Sequence, residues 1–154
     1  MVLKLTKHQE TLVERYGLLM ERFGLSPVAT RINALLTIVD QNALSFDEIR
    51  LALKISKSAT STALNTLSAL GYVNFKTVLG DRKRYFYSEV GSWKTKIGKD
   101  FEVLLELAEV LSEIANCKSD KDLIQKRDVI EYSNFLTELG NSSILSLQSA
   151  NRDN

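Results

Sequence analysis

The chain has a single cysteine, Cys117, and a single histidine, His8, among 154 residues. One thiol cannot close a disulfide framework, and one thiol with one imidazole cannot supply the ligands of a Cys- or His-based zinc site. Long apolar runs are missing as well. No stretch approaches the roughly 18–20 residues of a membrane span, and the amino terminus has no signal-peptide apolar region. The expectation is a cytoplasmic protein without a membrane partner. No nucleophile–base pair, phosphate-binding glycine loop or paired-carboxylate signature occurs, so the residues point neither to an enzyme nor to a cofactor. Internal repeats and low-complexity tracts are absent too. What is present is ordinary for a chain with a real core: 44% hydrophobic and 25% charged residues. That suits one compact domain, or a small domain with a helical extension.

A net charge of +1 hides an uneven distribution. Residues 1–53 hold 6 basic and 6 acidic side chains, and residues 85–154 hold 8 basic and 12 acidic. Between them, Lys54, Lys57, Lys76, Arg82, Lys83 and Arg84 face only Asp81, a local balance of +5. A basic block of this kind is the electrostatic footprint of nucleic-acid binding; its bland counterpart is a solvated charge run on an ordinary hairpin.

Local chemistry marks where helices start and stop. Thr6 and Gln9 fit a capping box, with Leu12, Tyr16, Leu19, Met20 and Phe23 at helical spacing behind them and Gly24 as the stop. Ser26-Pro27 suits an N-cap and first helical position, followed by one apolar face of Ile32, Leu35, Leu36 and Val39. Ser45 and Glu48 form a second capping box. It opens a short helix with Phe46, Ile49, Leu51 and Leu53 available to a core. Lys54-Ile55 makes a turn, and the next helix begins near Ser56 or Ser58. Its buried stripe is Ala63, Leu64, Leu67 and Leu70, and Gly71 ends it. Two β-rich runs, 72–78 and 84–89, flank Leu79-Gly-Asp-Arg-Lys83 and read as a hairpin.

Helix, turn, second helix and basic hairpin follow one another without a gap from Ser45 to Glu89. A helix-turn-helix offers its second helix to the DNA major groove, and a wing beside it can carry cations to phosphate or the minor groove. The residues expected to touch DNA are Lys54, Ser56, Lys57, Ser58, Ser61, Thr62 and Asn65 on and before the recognition helix, with Lys76, Arg82, Lys83 and Arg84 on the wing. Hydroxyls bind phosphate and Asn65 can reach adenine, although Ser and Thr are also common at helix starts. The exposed face has no Arg, which disfavours strong guanine readout. At the wing tip, Gly80 supplies turn geometry and Asp81 is positioned to brace a neighbouring Arg.

The runs SKSATSTALNTLSALGYV and GDRKRYFY resemble the GbsR branch of the MarR-type transcriptional regulators. LVERYGLLMERFGLSPVATRINALLTIVD and LSFDEIRLAL, with Pro27, Arg31 and the Ser45–Glu48 cap, are similar to the first helices of that branch. The likeness spans about residues 10–95. It implies a homodimeric winged-helix regulator of transcription that binds double-stranded DNA, with dimer contacts from its amino- and carboxy-terminal helices. A small-molecule effector is compatible with that class and unidentified. The small, hydroxyl-rich helix face, with Thr62 and Ala63, departs from the larger side chains common in relatives.

Beyond Trp93 the pattern changes to a long helix. Phe101, Leu104, Ala108, Leu111 and Ala115 form one stripe, and Val103, Leu107, Val110 and Ile114 a second beside it. Glu102, Glu106, Glu109 and Glu113 line the other side as a solvated face. Two adjacent stripes cover about half the circumference, wider than one contact needs. A second copy of the chain is the expected cover, with Phe101, Leu104, Leu107, Leu111 and Ile114 as dimerisation residues. Ser119–Asp122 should cap a last helix carrying Leu123, Ile124, Ile130, Phe135, Leu136 and Leu139. Gly140-Asn141 should break it, leaving Ile144, Leu145 and Leu147 in a short final turn, and 149–154 should fray.

The expected architecture is thus mainly α with a small β-hairpin wing: a winged helix-turn-helix over 1–90 and a helical dimerisation region over 91–154 that packs with the 1–24 helix. Trp93 is expected to plug the joint between wing and long helix. His8 and Cys117 read as structural, Cys117 becoming a redox sensor only if exposed near cations. The competing functional reading is a winged-helix protein-interaction module whose basic wing binds an acidic partner without DNA.

Overall fold

The computed structural model describes residues 3–119 and 123–150 and divides the chain into two compact units, Met1–Gly91 and Ser92–Asn154. The first holds α1 (Lys7–Glu21), α2 (Pro27–Ile38), β1 (Leu44–Ser45), α3 (Phe46–Leu53), α4 (Lys57–Ala69), β2 (Val73–Thr77) and β3 (Arg84–Ser88), and ends in a 3-10 turn that begins at Val90. The second holds α5 (Trp93–Cys117) and α6 (Leu123–Ser149). The result is the mainly helical winged-helix class anticipated from the sequence, with a three-stranded antiparallel sheet of order β1-β3-β2.

The local signals act where the sequence places them. Both reciprocal bonds of the Thr6/Gln9 box and of the Ser45/Glu48 box are made. Ser26 Oγ accepts from the Ala29 N–H with Pro27 at the first position, and Ser56 caps α4 through the Ala59 N–H. Each cap satisfies N–H groups that a helix start would otherwise leave orphaned.

α2 is the centre of the first unit. Rather than burying one face, it buries Ala29, Thr30 and all of Ile32 to Leu36, because α1, α3, α4 and β3 all pack against it. Its polar residues are satisfied in place: Thr30 Oγ1 donates to Pro27 O at 2.9 Å, and Asn33 Nδ2 to the Tyr16 hydroxyl at 3.0 Å. Burial raises the Tyr16 pKa above its ordinary value. α1 docks on α2 through Val13 and Gly17, where the Arg31 side chain passes close enough that a Cβ would meet its Nη1 at 3.2 Å. Arg31 pairs with Glu14 at 2.8 Å and with Glu21. Consequently Leu19 and Phe23, expected in the α1 stripe, point outward, Phe23 being 79% exposed. Leu51 and Leu70 are likewise exposed, leaving Ile49 and the trio Ala63, Leu64 and Leu67 to fill the core from α3 and α4.

The second unit is an antiparallel helix hairpin. Phe101, Leu104, Ala108, Leu111 and Ala115 are covered along α5, with Leu105 beside them, and Lys126, Val129, Ser133, Leu136, Gly140, Ser143 and Leu147 along α6, with Ile144 beside them. Both series step alternately by three and four, the heptad seam of a coiled coil. Ser133 Oγ donates to Ala108 O at 2.7 Å inside the seam. Gly140 does not break α6, contrary to expectation. It sits buried in mid-helix, where a Cβ would meet Leu105 Cδ2 at 2.6 Å. Glycine is there for close approach, not for chain reversal. Leu123, Ile124, Ile130, Phe135 and Leu139 are exposed, so Leu136 alone of the expected α6 stripe is buried. The expected cap at Ser119–Asp122 runs into residues 120–122, and the expected fraying tail into 151–154, both outside the described residues.

Candidate nucleic-acid interface

α3, its turn and α4 form the helix-turn-helix. Lys54 closes α3 with φ +55, a left-handed conformation uncommon for a side chain-bearing residue, and its N–H bonds back into the helix. This sharp exit lets Ser56 begin α4 two residues later. Thr60, Ala63, Leu64 and Leu67 hold α4 to the core. At 100° per residue the opposite side carries Ser58, Thr62, Asn65 and Ala69, all exposed.

The wing pairs Val73 with Ser88 through Thr77 with Arg84. Asp81 N–H donates to Val78 O at 3.0 Å across a turn with Gly80 at φ +85, where a side chain would be strained. Asp81 does not brace an Arg. Its Oδ1 accepts from the Lys83 N–H at 2.9 Å and its Oδ2 from the Tyr85 hydroxyl at 2.7 Å. The Tyr85 and Lys83 bonds hold the Asp81 carboxyl below the usual carboxylate range, and the same Asp81 bond raises the Tyr85 phenol. The one acid of the basic segment therefore shapes the loop, leaving Arg82, Lys83 and Arg84 exposed.

β1 escaped the sequence reading because two residues carry no periodicity. Leu44 pairs with Phe86 and Ser45 with Tyr85, so the residue that caps α3 also anchors the wing. Thr37 and Ser88 hydroxyls meet at 3.0 Å and tie the base of the wing to α2.

All eleven residues expected to touch DNA are exposed: Lys54, Ser56, Lys57, Ser58, Ser61, Thr62, Asn65, Lys76, Arg82, Lys83 and Arg84. They are not all equivalent. Ser61, Asn65, Arg82 and Arg84 line a cleft of about 400 Å³ between α4 and the wing, while strand alternation puts Lys76 on the other face of the hairpin from Arg84. The cleft also takes Ser68 and Phe75, which the sequence reading missed. The spacing Ser61, Asn65, Ser68 is one helical stripe and could have revealed the first. Phe75 packs on Phe86 with ring centroids 6.0 Å apart, and the Arg84 guanidinium lies 4.6 Å over the Phe75 ring.

Elsewhere, Cys117 is exposed at the end of α5, and Trp93 is half exposed with Lys94 over its ring at 5.9 Å. Among the described residues no group of three or more His, Cys, Asp or Glu could hold a metal ion, and no helix is long and apolar enough to cross a membrane.

Comparison with known proteins bears on this arrangement. Residues 23–84 match the MarR family. The match covers the helix-turn-helix and the wing as far as Arg84. A crystal structure of a transcriptional regulator is similar over 94% of this chain and 99% of that one, with 22% identity and a TM-score of 0.75. A mutant of MepR from S. aureus aligns over 88% of this chain and 99% of its own, at 14% identity and a TM-score of 0.44. No curated protein matches the chain. The fold is a MarR-like winged helix with carboxy-terminal helices.

Proposed function

We propose that the chain is a sequence-specific DNA-binding transcriptional regulator that acts as a homodimer, with α4 in the major groove and the basic wing on phosphate or the minor groove. The observation that carries this reading is the outward face of α4 lying beside a wing whose Arg82 and Arg84 have no carboxylate in ion-pair distance among the described residues. Unpaired cations next to a presented helix suit a polyanion. The MarR-family match over 23–84 supports the class, and the likeness of the α4 and wing segments to the GbsR branch supports that finer placement. Homodimerisation is supported by the exposed second stripe of α5, Val103, Leu107, Val110 and Ile114. Non-enzymatic action and a cytoplasmic site of action belong to the same reading.

The test is binding to duplex DNA across a salt series, with Arg82→Ala/Lys83→Ala beside the wild type. Every phosphate no longer neutralised should lower the slope of log K against log salt by about 0.9, hence by about 1.8 for the double variant. Binding should weaken on all duplexes alike. An unchanged slope would reject the wing assignment, and wild-type binding to an acidic protein but to no duplex would favour the interaction module.

A further inference from the structure

We propose that Phe75 is a positioning residue for DNA binding: its ring holds the Arg84 guanidinium in one orientation and makes Arg84, unlike Arg82 and Lys83, a fixed probe of duplex shape. The inference rests on the DNA-binding reading and goes beyond it, since nothing in that reading distinguishes Arg84 from its two cationic neighbours.

Strand alternation and register put Val73, Phe75, Arg84 and Phe86 on one face of the hairpin. Val73 and Phe86 belong to the core at 2% and 7% exposure, whereas Phe75 stays 39% exposed. Core packing therefore engages only part of this ring. The Arg84 guanidinium carbon lies 4.6 Å from its centroid, inside the roughly 6 Å over which a cation is drawn to a ring face. The two residues stand diagonally across the ladder, Phe75 opposite Phe86 and Arg84 opposite Thr77. Long side chains span that diagonal.

The ring is itself held. Its centroid is 6.0 Å from that of Phe86, with the planes tilted by 56°, a favoured aromatic arrangement. Leu44 pairs with Phe86 from the other side. Order thus passes outward from the core to Phe86, to Phe75, to Arg84. Arg82 and Lys83 lie exposed in the turn ahead of β3, and neither has a ring beneath it among the described residues. The difference separates two kinds of contact. A loose cation follows phosphate wherever a duplex presents it. A cation held in place favours those duplexes whose shape brings a negative group to it, and it has less freedom to lose on binding.

The test compares binding to a duplex that the wild-type protein selects from a random pool with binding to random duplex, each across a salt series. Phe75→Leu keeps an apolar side chain and every charge. It should weaken binding to the selected duplex by about two- to fivefold, the size of an exposed cation–π contact. The salt slope should be unchanged, and random duplex little affected. Phe75→Tyr, which keeps a ring, should bind as the wild type does. Arg84→Lys, which keeps the charge without the planar stacking group, should resemble Phe75→Leu. In an Arg84→Ala background Phe75→Leu should add no further loss. In the free protein, NMR of the Arg84 side chain should show protons shifted by the ring, and Phe75→Leu should abolish that shift. If Phe75→Leu fails to fold, Arg84→Lys and the ring shift decide the matter. An equal cost of Phe75→Leu in both backgrounds, an equal loss on both duplexes, or an unshifted Arg84 overturns the positioning role while leaving DNA binding intact. Failure of the wild-type protein to bind any duplex overturns the DNA reading itself, and the role of Phe75 with it.

Discussion

Replacing Gly140 with Ala should destabilise the helix hairpin, although helix propensity argues the opposite. In an exposed helix the change would add about 0.8–1.0 kcal/mol of stability. Here the new Cβ would lie 2.6 Å from Leu105 Cδ2 and 2.7 Å from its Cγ. The Cγ approach matters most, since moving it requires the whole isobutyl group to shift or α6 to back away from α5. Overpacking of a formed interface costs typically 1–3 kcal/mol. The difference is a net loss of about 1 kcal/mol. In a Leu105→Ala background the obstruction is gone, so Gly140→Ala should there become stabilising by about 1 kcal/mol. The two sites would then couple by about 2 kcal/mol in a double-mutant cycle. Urea unfolding of the full chain at one fixed protein concentration, followed by far-UV circular dichroism, measures all four variants. If Gly140→Ala stabilises the otherwise unaltered protein by the full propensity gain, the glycine is merely tolerated and the close packing of α5 on α6 is refuted.

Other perturbations have equally definite outcomes. The Ser45 hydroxyl and N–H bonds hold the Glu48 carboxyl below its ordinary value of 4.5; a folded pKa lower than the unfolded one gives stability that is present above that value and lost as pH falls through the folded pKa. Glu48→Gln should therefore flatten the acid limb of a stability-versus-pH curve, and an unaltered limb would count against the cap as its source. Lys54→Gly should raise stability by about 0.5–1 kcal/mol in thermal or urea melts, because glycine adopts the left-handed conformation at φ +55 without a Cβ penalty. Leu107→Glu/Val110→Glu changes two side chains that are exposed on α5, so each chain should stay folded while sedimentation reports monomers and DNA affinity falls. A dimer undiminished in these variants would move the self-association surface elsewhere.

Much of the first unit is legible because its instructions are local. A Ser or Thr with Glu or Gln three residues on, a Ser-Pro pair and a Gly after an apolar run each act within one turn of chain, and Thr6, Ser26, Ser45 and Gly71 do what their neighbours require. The wing was readable for the same reason, as two β-rich runs around a glycine turn. What escaped depends on partners distant in sequence. Leu44 and Ser45 become a strand only because β3 arrives beside them. Leu19 and Phe23 look like core until Arg31 claims the Gly17 side of α1. The α6 seam is written in Lys126, Ser133, Gly140 and Ser143, residues that no hydrophobic pattern selects, while the apolar Ile124, Ile130 and Phe135 lie outside it. Within the candidate interface, the cationic residues were legible from charge alone. Their separation into cleft and outer face was not, since it follows from strand alternation and from how α4 faces the sheet.

The short strand at Leu44–Ser45 has a consequence for association. An isolated two-stranded ribbon is marginal in water and would flicker among conformations. Here the ribbon is clamped along β3 by a third strand, at its base by the Thr37–Ser88 hydroxyl pair, and at its tip by Asp81. Its conformational freedom is surrendered during folding, when the core compensates for it. A partner that meets the wing therefore meets a surface already fixed in shape, and binding is relieved of most of the entropy loss that a mobile arm would impose. Loosening the clamp at Ser45 would reverse that relief and weaken association while every side chain that touches the partner stays in place.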